Sequence, residues 1–414
     1  MGREAVHQAR VAAVALAAAA AFTGSFMLLH HAFWGRHQLV DTPLYEAYAD
    51  SVRAGDVPYA NFRLEYPPGA LAAIMAPELT AVPGRFGTYG HAFEKWMAGC
   101  GIAMTLLVAL ALARLRADMR HVLAALALVA LSPLLLGPVL LSRFDLLPAM
   151  LTVGALAALL WGRTRLGIAV LAVAGATKLY PLVALPVVLL WMARTKGRRE
   201  AAACGAVAAL TLAAFFAPFV AISPAGTAHS LAVQASRPLQ VESLGAAFLV
   251  AVHHVAGLHL TLHEDHGSRN ILGVAARTIG GLATLLQLAA LLLVGVLFAR
   301  GPADRDRLVL AFAASVTAFV AFGKVLSPQY LIWLIPLVPL VPGPARWKAG
   351  LLLAAALVLT QLWFPDRYGQ YADHLRLGES LLVLARDLVL VAVFAVLVRA
   401  LRPGRLPALE AARA

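Results

Sequence analysis

Apolar runs of about 20 residues recur along this chain from residue 11 to residue 399, separated mainly by short turns rich in arginine. A run of that length, coiled at about 1.5 Å per residue, crosses a hydrocarbon core about 30 Å thick. No water bonds the backbone there, so each N–H and C=O must pair within its own segment, and helix is the solution open to such runs. The spacing predicts spans at roughly 11–33, 92–113, 122–141, 146–161, 201–221, 274–298, 308–325, 329–342, 349–364 and 379–399, with a shorter pair inside 166–193. The expected fold class is an all-α polytopic membrane bundle of about 11–13 spans. Composition excludes the soluble alternative: 61% of the residues are hydrophobic and 13% charged, where a soluble domain carries about 25% charged.

The net charge of +13 is a statement about topology. With the N-terminus placed in the cytoplasm, twenty of the 34 Lys and Arg fall on cytoplasmic turns such as "WGRTR" and "ARTKGRR", while acids and bases nearly cancel on the far side. Short loops with that excess orient a bundle by the positive-inside rule, so both termini are expected in the cytoplasm and nucleic acid is not implied. The first apolar run, "AVALAAAAAFTGS", has the small residues of a cleavage site. At about 20 residues it exceeds the 7–15 of a signal h-region, so an uncleaved first span is expected. Cys100 and Cys204 lie far apart within apolar runs and read as small packing residues.

Polar mass gathers on the outer side, in 34–91, 222–273 and 365–378. The first of these carries "VDTPLYEAYADSVRAGDVPYANFRLEYPP", Val40 to Pro68, with five carboxylates and four tyrosines. Pro43 in a first turn and Gly55 at an end predict a helix over 43–54, with Leu44, Tyr48 and Val52 on a face lying on the membrane surface. From spacing alone, Asp41 reads either as the cap of that helix or as a free acid where the first span emerges.

The 166–193 stretch must enter and return between two basic turns. Its 28 residues reach only about 42 Å as helix, short of the roughly 60 Å that two crossings need. Two partial helices meeting at "ATKLYP" are expected, with Lys178 at the break. An intramembrane lysine beside a broken helix suits an anionic head group; the alternative is a lysine snorkelling to the outer interface.

Other candidates have competing readings. Glu65 is a possible base or a partner of Arg63 or Lys95, and Asp145 in "SRFD" a partner of Arg143. Glu242 is an acceptor contact or a helix cap; Gln329 and Tyr330 bind sugar or phosphate, or Tyr330 anchors the interface. "LHEDHG" offers His263, Glu264, Asp265 and His266, but its spacing fits neither a helical zinc protease site nor a finger, and a solvated loop is expected. His253 and His254 point to different sides of a helix and carry little.

"GDVPYANFRLEYPPGAL", "SRFDLLPAML", "AVAGATKLYPLVALPVVLL", "RPLQVESLGAAF" and "GKVLSPQYLIWLIPL", in that order, resemble glycosyltransferase family 87 of the GT-C superfamily over about positions 20–400. The resemblance implies one GT-C transmembrane domain, 1–402, with 34–91 and 222–273 as outer loops and 403–414 as a cytoplasmic tail. It implies an inverting transfer of a sugar, most often mannose, from a polyprenyl-phosphate donor to a lipid- or glycan-linked acceptor outside the membrane. Asp41 matches the family's general base, with Glu65 the fallback. Lys178, then Arg143, Lys324 and Arg237, would meet the donor phosphate; Tyr45, Tyr66, Glu242, Gln329 and Tyr330 would meet sugar or acceptor. No metal and no cofactor beyond the lipid-linked sugar is implied.

Arabinofuranosyl transfer by the same route, a lipid-sugar flippase and an inactive lipid-sugar binder are the alternatives. A carrier of two similar halves is disfavoured, because neither "EYPP" nor "ATKLYP" has a second copy, and Asp41 favours an enzyme over the binder. The Ala, Leu and Arg bias points to a GC-rich genome, and the resemblance implies a bacterial plasma membrane.

Overall fold

The computed structural model describes residues 3–35, 39–82, 87–265 and 267–402; the expected tail at 403–414 lies outside them. Six helices are long and apolar enough to cross a membrane: Glu4–Leu28, Thr88–Arg114, Met119–Leu136, Arg198–Ile222, Val274–Ala299 and Leu377–Leu401. Shorter apolar helices, among them Leu146–Leu160 and Thr164–Thr177, complete an all-α polytopic bundle. The expected spans and the observed helices differ by a few residues at their ends, where caps and turn residues decide.

The Arg305–Phe322 helix is the core. From Arg307 to Phe322 every residue except Phe319 is buried, as a helix apolar on all sides requires. It packs on Val274–Ala299 and Leu377–Leu401 and on the turn Tyr180–Ala184. Arg198–Ile222 and Val274–Ala299 are peripheral and turn leucines such as Leu210, Leu285 and Leu292 outward. The first helix lies against the bundle by one face, burying Val11, Ala15, Phe22 and Phe26 against Thr88–Arg114 and Met119–Leu136. At one end, turns expected on the same side are tied by Asp118 to Arg346 at 2.7 Å, Arg165 to Glu200 at 3.2 Å and Glu4 to Arg116 at 3.6 Å.

Two expectations need correction. The 329–342 stretch is not an α-helical span: it runs as 3-10 turns at Pro328–Trp333 and Val338–Leu340. Pro328, Pro336, Pro339 and Pro342 remove the N–H groups an α ladder would use, and the segment is tolerated because Leu331 to Val341 are almost wholly buried in protein. The helix over 43–54 forms as Thr42–Arg53, but its buried stripe is Tyr45, Tyr48 and Ala49. Tyr45 packs against Phe93 at 5.5 Å, so that face meets the bundle, while Leu44 is exposed.

The second outer segment holds structure that periodicity did not reveal. Helices Pro224–Ser236 and Leu244–Ala256 flank a small antiparallel sheet ordered Leu239–Gln240, Ser268–Leu272, Thr261–Asp265. His253 and His254 are structural, the first bonded to the Leu258 carbonyl at 2.7 Å and the second to Ser380 Oγ at 3.2 Å.

Candidate functional site

The broken hairpin is the floor of the site. Thr164–Thr177 ends where Lys178 turns extended (φ −155°, ψ 133°), and Pro181 blocks its continuation. The chain then bends through Tyr180–Ala184 and returns as Leu185–Thr195. Lys178 does not snorkel: its side chain is 16% exposed and its Nζ lies 2.7 Å from Asp145 Oδ1. Trp333 Nε1 donates to the same oxygen at 2.6 Å. The ammonium also stands 4.9 Å from the Phe144 ring and 5.4 Å from that of Trp333, within cation–π range. Trp333 is sandwiched between Tyr180 and Tyr330, each 4.0 Å away.

The roof comes from the first outer segment. Asp41 occupies the N-cap position of Thr42–Arg53, yet its side chain accepts no capping bond. It pairs with Arg143, and Tyr45 Oη lies 3.4 Å from its Oδ2. The capping alternative for Asp41 and the Arg143–Asp145 pairing are thereby both overturned: each arginine or lysine of the floor has a different acid. Tyr45 and Tyr66 close around Phe144 at 5.5 and 4.9 Å.

The roof is fastened at two points. Gly69 abuts the hairpin so closely that a Cβ there would lie 2.7 Å from the Ala176 carbonyl, which brings the "EYPPG" turn onto the "ATK" break. From the second outer segment, Ser230 Oγ donates to the Leu64 carbonyl and Gln234 Nε2 to the Glu65 carbonyl, both at 2.8 Å. Segments some 165 residues apart in sequence thus hold one strand of roof.

The remaining wall is polar. Arg237 donates to Ser268 Oγ at 2.9 Å and Lys324 to the Ala235 carbonyl at 2.9 Å. Glu242 is not a cap, since Ser243 holds that position in Leu244–Ala256. It is buried, accepts from Gln240 Nε2 at 3.0 Å, and its backbone carbonyl receives Arg386 at 2.8 Å. Burial pushes its carboxyl up to about 7, against the pull of Arg386, the Tyr368 hydroxyl and Arg143. Burial likewise raises the Tyr45 and Tyr66 hydroxyls, which stay protonated.

These parts enclose a cavity of about 800 Å³. Asp41, Glu65, Lys178, Arg143, Lys324, Arg237, Tyr45, Tyr66, Glu242, Gln329 and Tyr330 all line it, although nothing local in the sequence joins them. Sequence reasoning missed Trp333, Tyr180, Gln240 and Arg386. Arg386 was findable: it and Asp387, 2.6 Å apart and wholly buried, are a charged pair inside the last apolar run. "LHEDHG" borders the same cavity through Glu264 and Gly267, with Glu264 paired to Arg269 at 3.2 Å and Arg269 to Asp373 at 2.8 Å; His266 lies outside the described residues. Among the described residues no three His, Cys, Asp or Glu side chains gather as ligands.

Chemically, the cavity offers a carboxylate at one wall, cations behind it and hydroxyl and amide groups around it. That set can deprotonate an alcohol and receive a departing anion. No curated protein matched the chain. Residues 143–369, more than half of the 414, match the model of a family described as Mannosyltransferase (PIG-M). The matched stretch runs from Arg143 through Lys178, Arg237, Glu242 and Tyr330, so it contains the cationic floor and polar wall, while Asp41 and Glu65 precede it. On that match the chain belongs to the mannosyltransferase (PIG-M) family.

Proposed function

We propose that this membrane mannosyltransferase takes its sugar from a polyprenyl-phosphate donor and passes it, with inversion, to a hydroxyl of a lipid- or glycan-linked acceptor on the extracytoplasmic face. The resemblance to glycosyltransferase family 87 supports the donor class, and the arginine-rich turns support the orientation, with both termini cytoplasmic. The observation that carries the reading is Asp41 beside the Arg143 and Lys178 cations in one cavity.

In this reaction the acceptor oxygen attacks the anomeric carbon while Asp41 takes its proton. The bond from that carbon to the phosphate oxygen breaks, and the lipid monophosphate leaves with the electron pair. Lys178 and Arg143, backed by Arg237 and Lys324, meet the charge as it develops. Arg143 has a double duty: it pairs with Asp41, and a donor phosphate drawing it away leaves the carboxylate to the acceptor hydroxyl. Tyr45, Tyr66, Glu242, Gln329 and Tyr330 orient the sugars. The cations present supply the phosphate stabilisation without a metal.

The test is transfer from radiolabelled polyprenyl-phosphate-mannose into a lipid and glycan acceptor extract by purified protein, with and without chelator. Chelator-insensitive transfer that is lost in Asp41→Asn is expected. Undiminished transfer by Asp41→Asn would remove Asp41 as the base and point to Glu65.

A further inference from the structure

A second cavity, of about 550 Å³, lies against the first where the Val274–Ala299 helix begins. Arg237, Lys324 and Thr284 line both. Its other wall carries Arg277, whose side chain makes no hydrogen bond or ion pair among the described residues. The space exists because Gly280 and Gly281 lack side chains there; a Cβ on Gly281 would meet nothing within 4 Å. Val274, Leu282 and Leu285 on the same helix are exposed, so the cavity borders a surface fit for lipid chains.

The two cavities differ in charge. The larger one balances its cations with Asp41, Glu65, Asp145, Glu242, Glu264 and Asp373. The smaller has Arg237, Arg277 and Lys324 and no carboxylate among its described lining residues. This difference discriminates between donor and product. A sugar-bearing lipid phosphate is a diester with one negative charge; transfer turns it into a monoester, which carries close to two at neutral pH. Charge added by the reaction therefore shifts the lipid's preference from the balanced cavity to the cationic one, across a wall whose two cations belong to both.

Resting on the lipid-phosphate donor proposed above, we infer that this second cavity is a product site, which receives the spent polyprenyl monophosphate after transfer and holds it by Arg237, Arg277 and Lys324 before it returns to the bilayer.

The experiment labels the full-length protein, in phosphatidylcholine nanodiscs, with a polyprenyl monophosphate carrying a diazirine on its first isoprene unit. Labelled peptides are mapped by mass spectrometry for wild type, Arg277→Gln and Gly281→Leu. The second variant adds bulk at a position where a Cβ meets nothing within 4 Å and replaces a poor helix former with a good one, so it guards against a folding artefact. Expected is labelling of 272–284 that falls about tenfold in each variant, the loss of one charge-assisted hydrogen bond or of its space. A methyl diester of the same lipid and a tenfold excess of phosphatidylglycerol should compete poorly. Label confined to the main cavity, label at 272–284 undiminished in both variants, or equal competition by phosphatidylglycerol would each overturn the product site. The readout is binding, so it separates from the reaction itself: a wild type that labels at 272–284 but never transfers mannose sinks the proposed donor chemistry and leaves the pocket standing.

Discussion

Lys178 Nζ and Asp145 Oδ1 are 2.7 Å apart at the break between two half-length helices, with Trp333 donating to the same oxygen. Removing one partner of a buried pair costs about 3–5 kcal/mol, because the other charge is stranded. Replacing both can be nearly neutral. Lys178→Met and Asp145→Asn should therefore each lower thermal stability in detergent, and the double variant should recover most of it. Transfer should stay lost in the double variant, because the phosphate has lost its cation. Recovery of both stability and transfer would make Lys178 structural only.

Asp41 and Arg143 form a second ion pair at the site, and their roles separate in kinetics. Asp41→Asn should lower kcat by about 10²–10⁴, the usual contribution of a general base. It removes a negative charge, so the donor KM should not rise. Arg143→Gln should do the reverse, raising donor KM more than it lowers kcat. Steady-state measurements against donor concentration check both. The same pattern in the two variants would mean that each acts only by holding the other.

The bundle was legible because apolar run length is a local property, and so was the broken hairpin, whose 28 residues cannot cross twice. Asp41, Lys178 and Glu242 were each visible as costly or concentrated polar groups. Who pairs with whom was not, since Arg143 took Asp41, far away in sequence, over Asp145 two positions away. The three-stranded sheet stayed hidden because Leu239–Gln240 is too short to show a period of two. The 329–342 segment failed as a helix on information already present: its prolines recur every third residue between Pro336 and Pro342. Apolarity predicted its burial, and proline chemistry its shape.

Gly69 is where the roof touches the floor. An added methyl would lie 2.7 Å from the Ala176 carbonyl carbon and oxygen and 2.8 Å from the Thr177 nitrogen, all backbone atoms that cannot rotate away. Overpacking of that kind costs about 1–3 kcal/mol or is relieved by displacement. Gly69→Ala should therefore lift the Glu65–Pro68 turn from Lys178. The expected result is a transfer rate at least tenfold lower with a modest loss of thermal stability. Gly90→Ala, in the open space of the Thr88–Arg114 helix, is the control and should leave both near wild type.

Glu242 makes the pH dependence of transfer informative. Burial lifts its carboxyl from about 4.5 to about 7, with Arg386, Tyr368 and Arg143 opposing and Asp387 reinforcing the rise. Below that pH the group is neutral; above it, the group is a carboxylate that only accepts. If the ionised form receives a sugar hydroxyl, kcat/KM should climb through a midpoint near 7. Stability moves the other way. The folded state holds this proton more tightly than the unfolded chain, so stability falls as pH rises from about 4.5 to about 7 and is level above. A rise in activity across that window cannot then be a folding effect. Glu242→Gln, fixed in the neutral form, should hold the rate near the acid plateau and abolish the step. A pH profile for Glu242→Gln that still climbs near 7 would assign the titration to another group and leave Glu242 as a support of the wall.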